Sequence, residues 1–203
     1  MNNFQRKLEI GKIGETQIAK WFQSRGFAVL PVYEKEQGEF KGPVLYTASK
    51  GQKVAPDMLV FKKDKTLWIE AKHKSAFTWH RKTERWTTGI DRHHFNDYLA
   101  IADLSDIPVW LLFLHRVGVA KDTPHGMVSP TGLYGGEIFY LTKNINHTHQ
   151  NWGKSGMVYW AHDKLKHIAP LDQFEEREAI HEYDAGLSRQ ESKSQALMAY
   201  ANN

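Results

Sequence analysis

Two apolar runs, Met58 to Phe61 and Thr66 to Ala71, are separated by the charged residues Lys62-Lys63-Asp64-Lys65. Short apolar runs bounded by a polar turn form the arms of a β-hairpin, and a hairpin fixes which residues face each other. With the turn centred between Lys63 and Asp64, paired positions sum to 127, so Asp57 stands opposite Glu70. Cross-strand neighbours on one face have Cβ atoms about 4.5 to 5.5 Å apart, and two carboxylates at that separation repel unless a cation sits between them. Lys72, two residues after Glu70, shares its face through the strand period of two. Pro56 cannot donate to the ladder, so the strand starts at Asp57, near the sheet's edge, where a ligand can approach. Leu67, Ile69 and Ala71 on one face, and Leu59, Phe61 and Trp68 on the other, point to a strand pair covered on both sides. Scattered charges on a surface hairpin do not fit that pattern.

The neighbouring segments supply the rest of a mixed α/β sandwich around a central sheet. Residues 3–25 read as a helix, with Phe4, Leu8, Gly11, Ile18 and Phe22 on one stripe and Gly26 ending it. Ala28 to Val32 is a short strand, and 34–54 is a polar loop with one strand at 44–47. Asp91 to Ser105 is a second helix, carrying Phe95, Tyr98, Leu99 and Ala102 at helical spacing. Val109 to Leu114 is a continuous apolar strand of the kind buried on both faces. The core therefore spans 1–116. Residues 117–203 form a C-terminal extension packed on it, with a long Gly- and Pro-rich loop over 117–136, strands at 137–142 and 157–160, and acidic helices over 171–200.

Glu15 falls in the middle of the apolar stripe of the first helix. A buried, unpaired carboxylate there costs several kcal/mol, so something must compensate it: a lysine or polar seam partner, or a cation. The charge distribution is also lopsided. Residues 62–92 hold nine Lys and Arg against four Asp and Glu, while 170–203 hold three against seven. The basic stretch is interleaved with Trp68, Phe77, Trp79 and Trp86. Cations neutralise phosphates and flat rings stack on bases, so this composition suits a nucleic-acid surface, though a solvated charged face has the same composition.

Composition narrows the chemistry. Zero cysteines among 203 residues exclude disulfides, thiolate zinc sites and cysteine nucleophiles. The longest apolar run, Val109 to Leu114, is six residues, against about 20 for a membrane helix. With no apolar signal core in Met1 to Ile10, the expectation is a soluble cytoplasmic protein with no membrane partner. His93-His94 and His147-Thr148-His149 lack a third ligand at helical spacing and read as packed or solvated histidines rather than zinc ligands. Trp110 reads as core, whereas Trp79 and Trp86 suit either core or base stacking.

Pro56-Asp57, twelve intervening residues and Glu70-Ala71-Lys72, preceded by Gly11-Lys12-Ile13-Gly14-Glu15, resemble the PD-(D/E)XK nuclease superfamily. Arg25-Gly26-Phe27-Ala28-Val29 after the Gly-Glu helix is similar to archaeal Holliday junction resolvases and their bacterial and phage relatives. The likeness covers Gly11 to His115. The Gln-x-x-x-Tyr motif of the RecB-like branch is absent, and His94-Phe95-Asn96-Asp97-Tyr98 occupies a comparable place. The resemblance implies a restriction-endonuclease-like core: a helix, a mixed central sheet with a PD/ExK hairpin, a helix and a buried strand. It also implies a divalent-metal-dependent deoxyribonuclease, endonucleolytic and resolvase-like on branched DNA, acting as a homodimer. The alternative is a non-catalytic nucleic-acid-binding or assembly protein on the same fold.

Carried onto this chain, the resemblance makes Glu15, Asp57, Glu70 and Lys72 the catalytic group. Asp57, Glu70 and the Ala71 carbonyl would hold Mg²⁺ or Mn²⁺, and Glu15 would hold its water or a second ion. Lys72 would orient the attacking water or stabilise developing charge; acting as a base requires its pKa to fall well below 10. Lys74, Arg81, Lys82, Arg85 and Arg92 are the expected contacts to the DNA backbone.

Overall fold

The structure, a computed structural model, describes residues 3–32, 44–48, 51–120, 122–150 and 155–174, with the backbone alone for 3–10. The side chains of Phe4 and Leu8, residues 34–43 and the expected acidic helices beyond 174 lie outside what it describes.

Helix α1 (Asn3–Gln23) buries Ile18, Trp21 and Phe22. Gly26, at φ +77°, turns the chain into β1 (Ala28–Pro31). β2 (Val44–Tyr46) and β3 (Gln52–Val54) form a small antiparallel ribbon; β3 was not foreseen. β4 (Met58–Lys62) and β5 (Lys65–Lys74) are the expected hairpin. Their register runs from Met58 opposite Ile69 to Lys62 opposite Lys65, so every pair sums to 127. Lys63 makes the turn at φ +54°. Two details differ from expectation. The strand begins at Met58, and β1 covers β4, so Asp57 lies at a strand end rather than along an open edge. Phe61, expected to be covered, is exposed.

β6 (Thr78–His80) and β7 (Arg85–Asp91) form a second hairpin, and α2 (Arg92–Ser105) leads into β8 (Val109–His115). β8 lies parallel to β5, from Trp68 opposite Val109 to Lys74 opposite His115. β9 (Gly132–Glu137), helix α3 (Ile138–Lys143), β10 (Ile145–His149), β11 (Met157–Ala161), a 3-10 turn at His162–Lys164 and β12 (Lys166–Ala169) complete the described chain. One sheet has the order β1-β4-β5-β8-β9-β12 and the other β10-β11-β7-β6. Residues beyond 116 thus supply strands to both sheets.

The long sheet is buried on both faces because its strands alternate. Leu112 and Leu114 face α1 together with Met58, Val60, Ile69 and Ala71. Leu111 and Phe113 face α2 and the second sheet, packing with Phe95, Tyr98, Ile101 and Trp160. β8 is therefore the two-sided apolar strand its sequence indicates. Trp86 is buried and packs edge-on against Trp79, ring centroids 5.1 Å apart, which resolves both residues as packing rather than free platforms. Trp110 is only partly buried.

The expected strand at 137–142 is instead helix α3. Glu137 caps it, its carboxylate accepting from the Phe139 and Tyr140 amides at 3.0 Å. Ile138 and Leu141, three residues apart, are the buried stripe. The expected loop over 117–136 ends in β9, paired on both sides. Among the described residues, no helix is long and apolar enough to cross a membrane.

Candidate active site

Helix α1 crosses β5 at Gly14. A Cβ on Gly14 would fall 2.4 Å from His73 Cβ, so only glycine permits this approach. The approach carries Glu15 to the sheet. Glu15 itself is half-buried while Gly14 takes the buried position, a correction to the expectation that Glu15 points into the apolar seam. Its charge is felt by both Asp57 and Lys72.

Asp57, just before β4, accepts a hydrogen bond on Oδ2 from the Ala71 amide at 2.8 Å. Its backbone carbonyl accepts from Val32 at 3.0 Å. Both ends of the residue are therefore fixed by neighbouring strands. Burial raises the Asp57 carboxyl well above the ordinary carboxylate range; Glu70 and Glu15 add to this, and Lys72 and the Ala71 amide oppose it.

Glu70, in the middle of β5, is 1 % exposed. Its carboxylate is in side-chain hydrogen-bond contact with the Lys72 ammonium and the Tyr98 phenol. The Lys72 ammonium is in ion-pair contact with Oε1. Burial alone would lower the lysine, but Glu70 and Asp57 outweigh it and hold Lys72 above the ordinary lysine range. That direction is opposite to what a general base needs. Lys74 continues the same face: burial, then repulsion from Lys72, bring it down to about 8 against the pull of Asp91 and Glu70.

Helix α2 closes the site from the far side with Tyr98 and His94, which the sequence placed at the position of the absent Gln-x-x-x-Tyr motif without giving them a role. The buried Tyr98 phenol is pushed up by burial first and then by the Glu70 and Asp57 carboxylates, which places it beside them. His94, one turn earlier, packs near Tyr98 with ring centroids 6.0 Å apart. Burial and then Lys72 lower it, while Glu70 and Asp91 act the other way. The available signal was the four-residue spacing of His94 and Tyr98, which puts both on one helix face and, by resemblance, in the place of the Gln-x-x-x-Tyr motif. Asp97 is structural: it accepts from the Val54 amide at 3.0 Å and pairs with Lys53 at 3.3 Å, tying β3 to α2.

The expected backbone contacts divide. Arg81 and Lys82 are exposed in the turn between β6 and β7. Arg85 is engaged by Asp163 in an ion pair. Arg92 is half-buried at the start of α2, its amide donating to Gly156 at 2.9 Å. Lys74 sits inward beside Lys72 rather than on the outer track.

Among the described residues, no three His, Asp or Glu side chains form a metal cage. The donor set at Asp57 and Glu70 is nonetheless of the right kind for Mg²⁺. That ion binds hard oxygens at one or two carboxylates and keeps several of its waters. Two adjacent carboxylates, one of them with both oxygens buried, fit such an ion.

No protein-family model and no curated protein matches the sequence. Among the solved structures that share parts of its shape are two nucleases. One is Hjc, a Holliday junction resolvase from the archaeal hyperthermophile Archaeoglobus fulgidus, at 10% identity and a TM-score of 0.43, covering 76% of this chain and 90% of that one. The other is a nuclease from a fusselovirus, at 14% identity and a TM-score of 0.35, covering 78% and 80%. At these values neither likeness bears on the chemistry.

Proposed function

We propose that this protein is a divalent-metal-dependent nuclease that hydrolyses DNA phosphodiester bonds as an endonuclease, with a resolvase-like preference for branched DNA. The observation that carries the reading is Glu70, a carboxylate 1 % exposed beside a second carboxylate, Asp57, whose own pKa burial and Glu70 push up. Perturbed carboxylate pairs of this kind cluster at functional sites, and a bound cation would offset their electrostatic cost.

Asp57, Glu70 and the Ala71 carbonyl would hold Mg²⁺ or Mn²⁺, which when bound neutralises phosphate charge and acidifies water. The remaining work belongs to the chain. Lys72, carrying its proton, donates to the scissile phosphate and offsets charge as it builds in the transition state. Glu15, from the opposite layer, orients water at the site. Hydrolysis adds water across one P–O ester bond, leaving a phosphate monoester and a hydroxyl. Arg81 and Lys82 hold the backbone away from the site, giving a salt-dependent affinity. A homodimer would present two such sites to two strands, and the proposed place of action is the cytoplasm.

A second reading, a non-catalytic nucleic-acid-binding or assembly protein, is favoured by one observation: the Lys72 ammonium already supplies Glu70 with a counter-charge. One experiment separates the two readings. Plasmid, linear, single-stranded and four-way-junction DNA are incubated with Mg²⁺, Mn²⁺ or EDTA, beside Asp57→Ala and Lys72→Ala. The proposal expects cleavage that needs the metal, is lost in both variants and is fastest on the junction. Binding without cleavage selects the second reading.

A further inference from the structure

The second sheet carries a column of flat rings that the nuclease reading does not use. His80 of β6 stacks on His147 of β10, centroids 3.7 Å apart and planes 8° from parallel. His147 stacks in turn on Tyr159 of β11 at 4.5 Å and 5°. Tyr159 lies against Gly89, where a Cβ would come within 2.7 Å of its ring. The column is therefore seated on bare backbone.

A hydrogen-bond chain pins the rings. Thr83 Oγ1 donates to Asn146 Oδ1 at 3.2 Å, which leaves it to accept from His80 Nδ1 at 2.7 Å. His147 Nδ1 donates to the same Asn146 oxygen at 2.7 Å. Both imidazoles are thereby set as Nδ1–H tautomers by the network. Burial, then a neighbouring histidine, lower both, His147 to about 4, so at neutral pH the column is uncharged. Neutral, parallel, pre-oriented rings are what base stacking requires.

The position of the column points to its ligand. Its inner end, Tyr159, is within electrostatic reach of Asp91, which in turn acts on Lys74 at the candidate active site. Its outer end, His80, lies next to the exposed turn bearing Arg81 and Lys82, and among the described residues no further ring stacks on its other face. The column thus lies between β7, two residues from Asp91, and a pair of exposed cations.

We infer that His80 offers its outer face to an unpaired nucleobase, extending the His147–Tyr159 stack, while Arg81 and Lys82 hold the adjoining phosphates. The inference rests on the DNA-nuclease reading and narrows its substrate to DNA with unpaired nucleotides beside the cut, because paired bases hide their faces inside the duplex.

The test is fluorescence anisotropy in EDTA, where metal-dependent cleavage does not intrude. The probes are labelled oligothymidine, a forked duplex with two unpaired arms and a blunt duplex of equal length, and His80→Ala and His80→Phe are compared with wild type after confirming equal thermal midpoints. The expected result is about tenfold weaker binding of His80→Ala to oligothymidine and the fork, with blunt-duplex binding within twofold of wild type, and recovery in His80→Phe, which restores a ring. Equal loss on all three probes, no loss on any, or failure of the phenylalanine to rescue would overturn the inference. Parallel plasmid scission in Mg²⁺ separates the two failures: His80-dependent binding without scission removes the nuclease reading, and scission without that binding removes the platform.

Discussion

The Ala71 amide donates to Asp57 Oδ2 at 2.8 Å, so the carboxylate that closes the PD corner is held by the backbone of the residue between Glu70 and Lys72. Structural and chemical roles of Asp57 can therefore be separated. Asn retains an oxygen for Ala71 but no charge. Because burial and Glu70 raise the folded-state pKa of Asp57, its ionised form destabilises the native state above the unfolded pKa, and that cost disappears as pH falls through this range. At pH 7, Asp57→Asn is expected to melt at or above wild type, and Asp57→Ala about 1 kcal/mol below Asp57→Asn, a hydrogen bond's net worth. Both should lose cleavage. A destabilised Asp57→Asn would contradict the electrostatic account.

The contact between Lys72 and Glu70 has a different signature. Removing one partner of a buried ion pair leaves the other uncompensated, at a cost of about 3 to 5 kcal/mol. With Lys72 itself 30 % exposed, water screens part of that cost. Lys72→Met should therefore lower stability by up to about 3 kcal/mol, and adding Glu70→Gln should recover most of it. Urea unfolding of the two variants and the double variant gives the coupling directly, and additive losses would show that the pair is not the unit.

Gly14 is the point where α1 touches β5. Gly14→Ala places a Cβ 2.4 Å from His73 Cβ, and neither helix nor strand can yield without shifting Glu15. The expected loss is about 1 to 3 kcal/mol, the usual cost of overpacking, with a fall in cleavage larger than a stability change of that size explains. Gly11→Ala, where the nearest contact is Glu15 Oε1 at 4.0 Å, should be far milder.

His115 is fully buried and stacked on Phe77 at 3.6 Å, and burial, then Lys74, lower it to about 3. In the unfolded chain it takes a proton near pH 6.5. Between those values the unfolded state binds the extra proton, so stability falls as pH falls, by up to about 1.4 kcal/mol per unit for this one group. His115→Phe keeps the stack and removes the titration. Its melting temperature should decline less than wild type between pH 6.5 and pH 4, and parallel curves would exclude His115 as a contributor.

The elements read correctly from sequence are those where a single physical pattern dominates. The hairpin register followed from one turn position, and the 127 sum holds along the whole ladder. α2 and β8 followed from helical spacing and an unbroken apolar run. What escaped was structure set by tertiary partners. β6 and β7 are rich in Thr and Trp with no clean alternation, and they pair because Trp86 finds a buried place. β9 looks like a loop because three of its six residues are glycine, yet β8 and β12 hold it on both sides. At the site, the Asp57–Glu70–Lys72 group was legible because strand geometry alone aligns it. For Tyr98 and His94 only the place was legible, from the resemblance, since it is the tertiary packing of α2 that brings them to the carboxylates.

The most direct measurement is the rate at which supercoiled plasmid is nicked by wild type and by Glu70→Gln, in Mg²⁺ and after chelation with EDTA. The account expects nicking by wild type in Mg²⁺ alone and a loss of at least about a hundredfold in a folded Glu70→Gln protein, as for removal of one transition-state electrostatic contact. Nicking that survives EDTA, or a Glu70→Gln protein as fast as wild type, would contradict it.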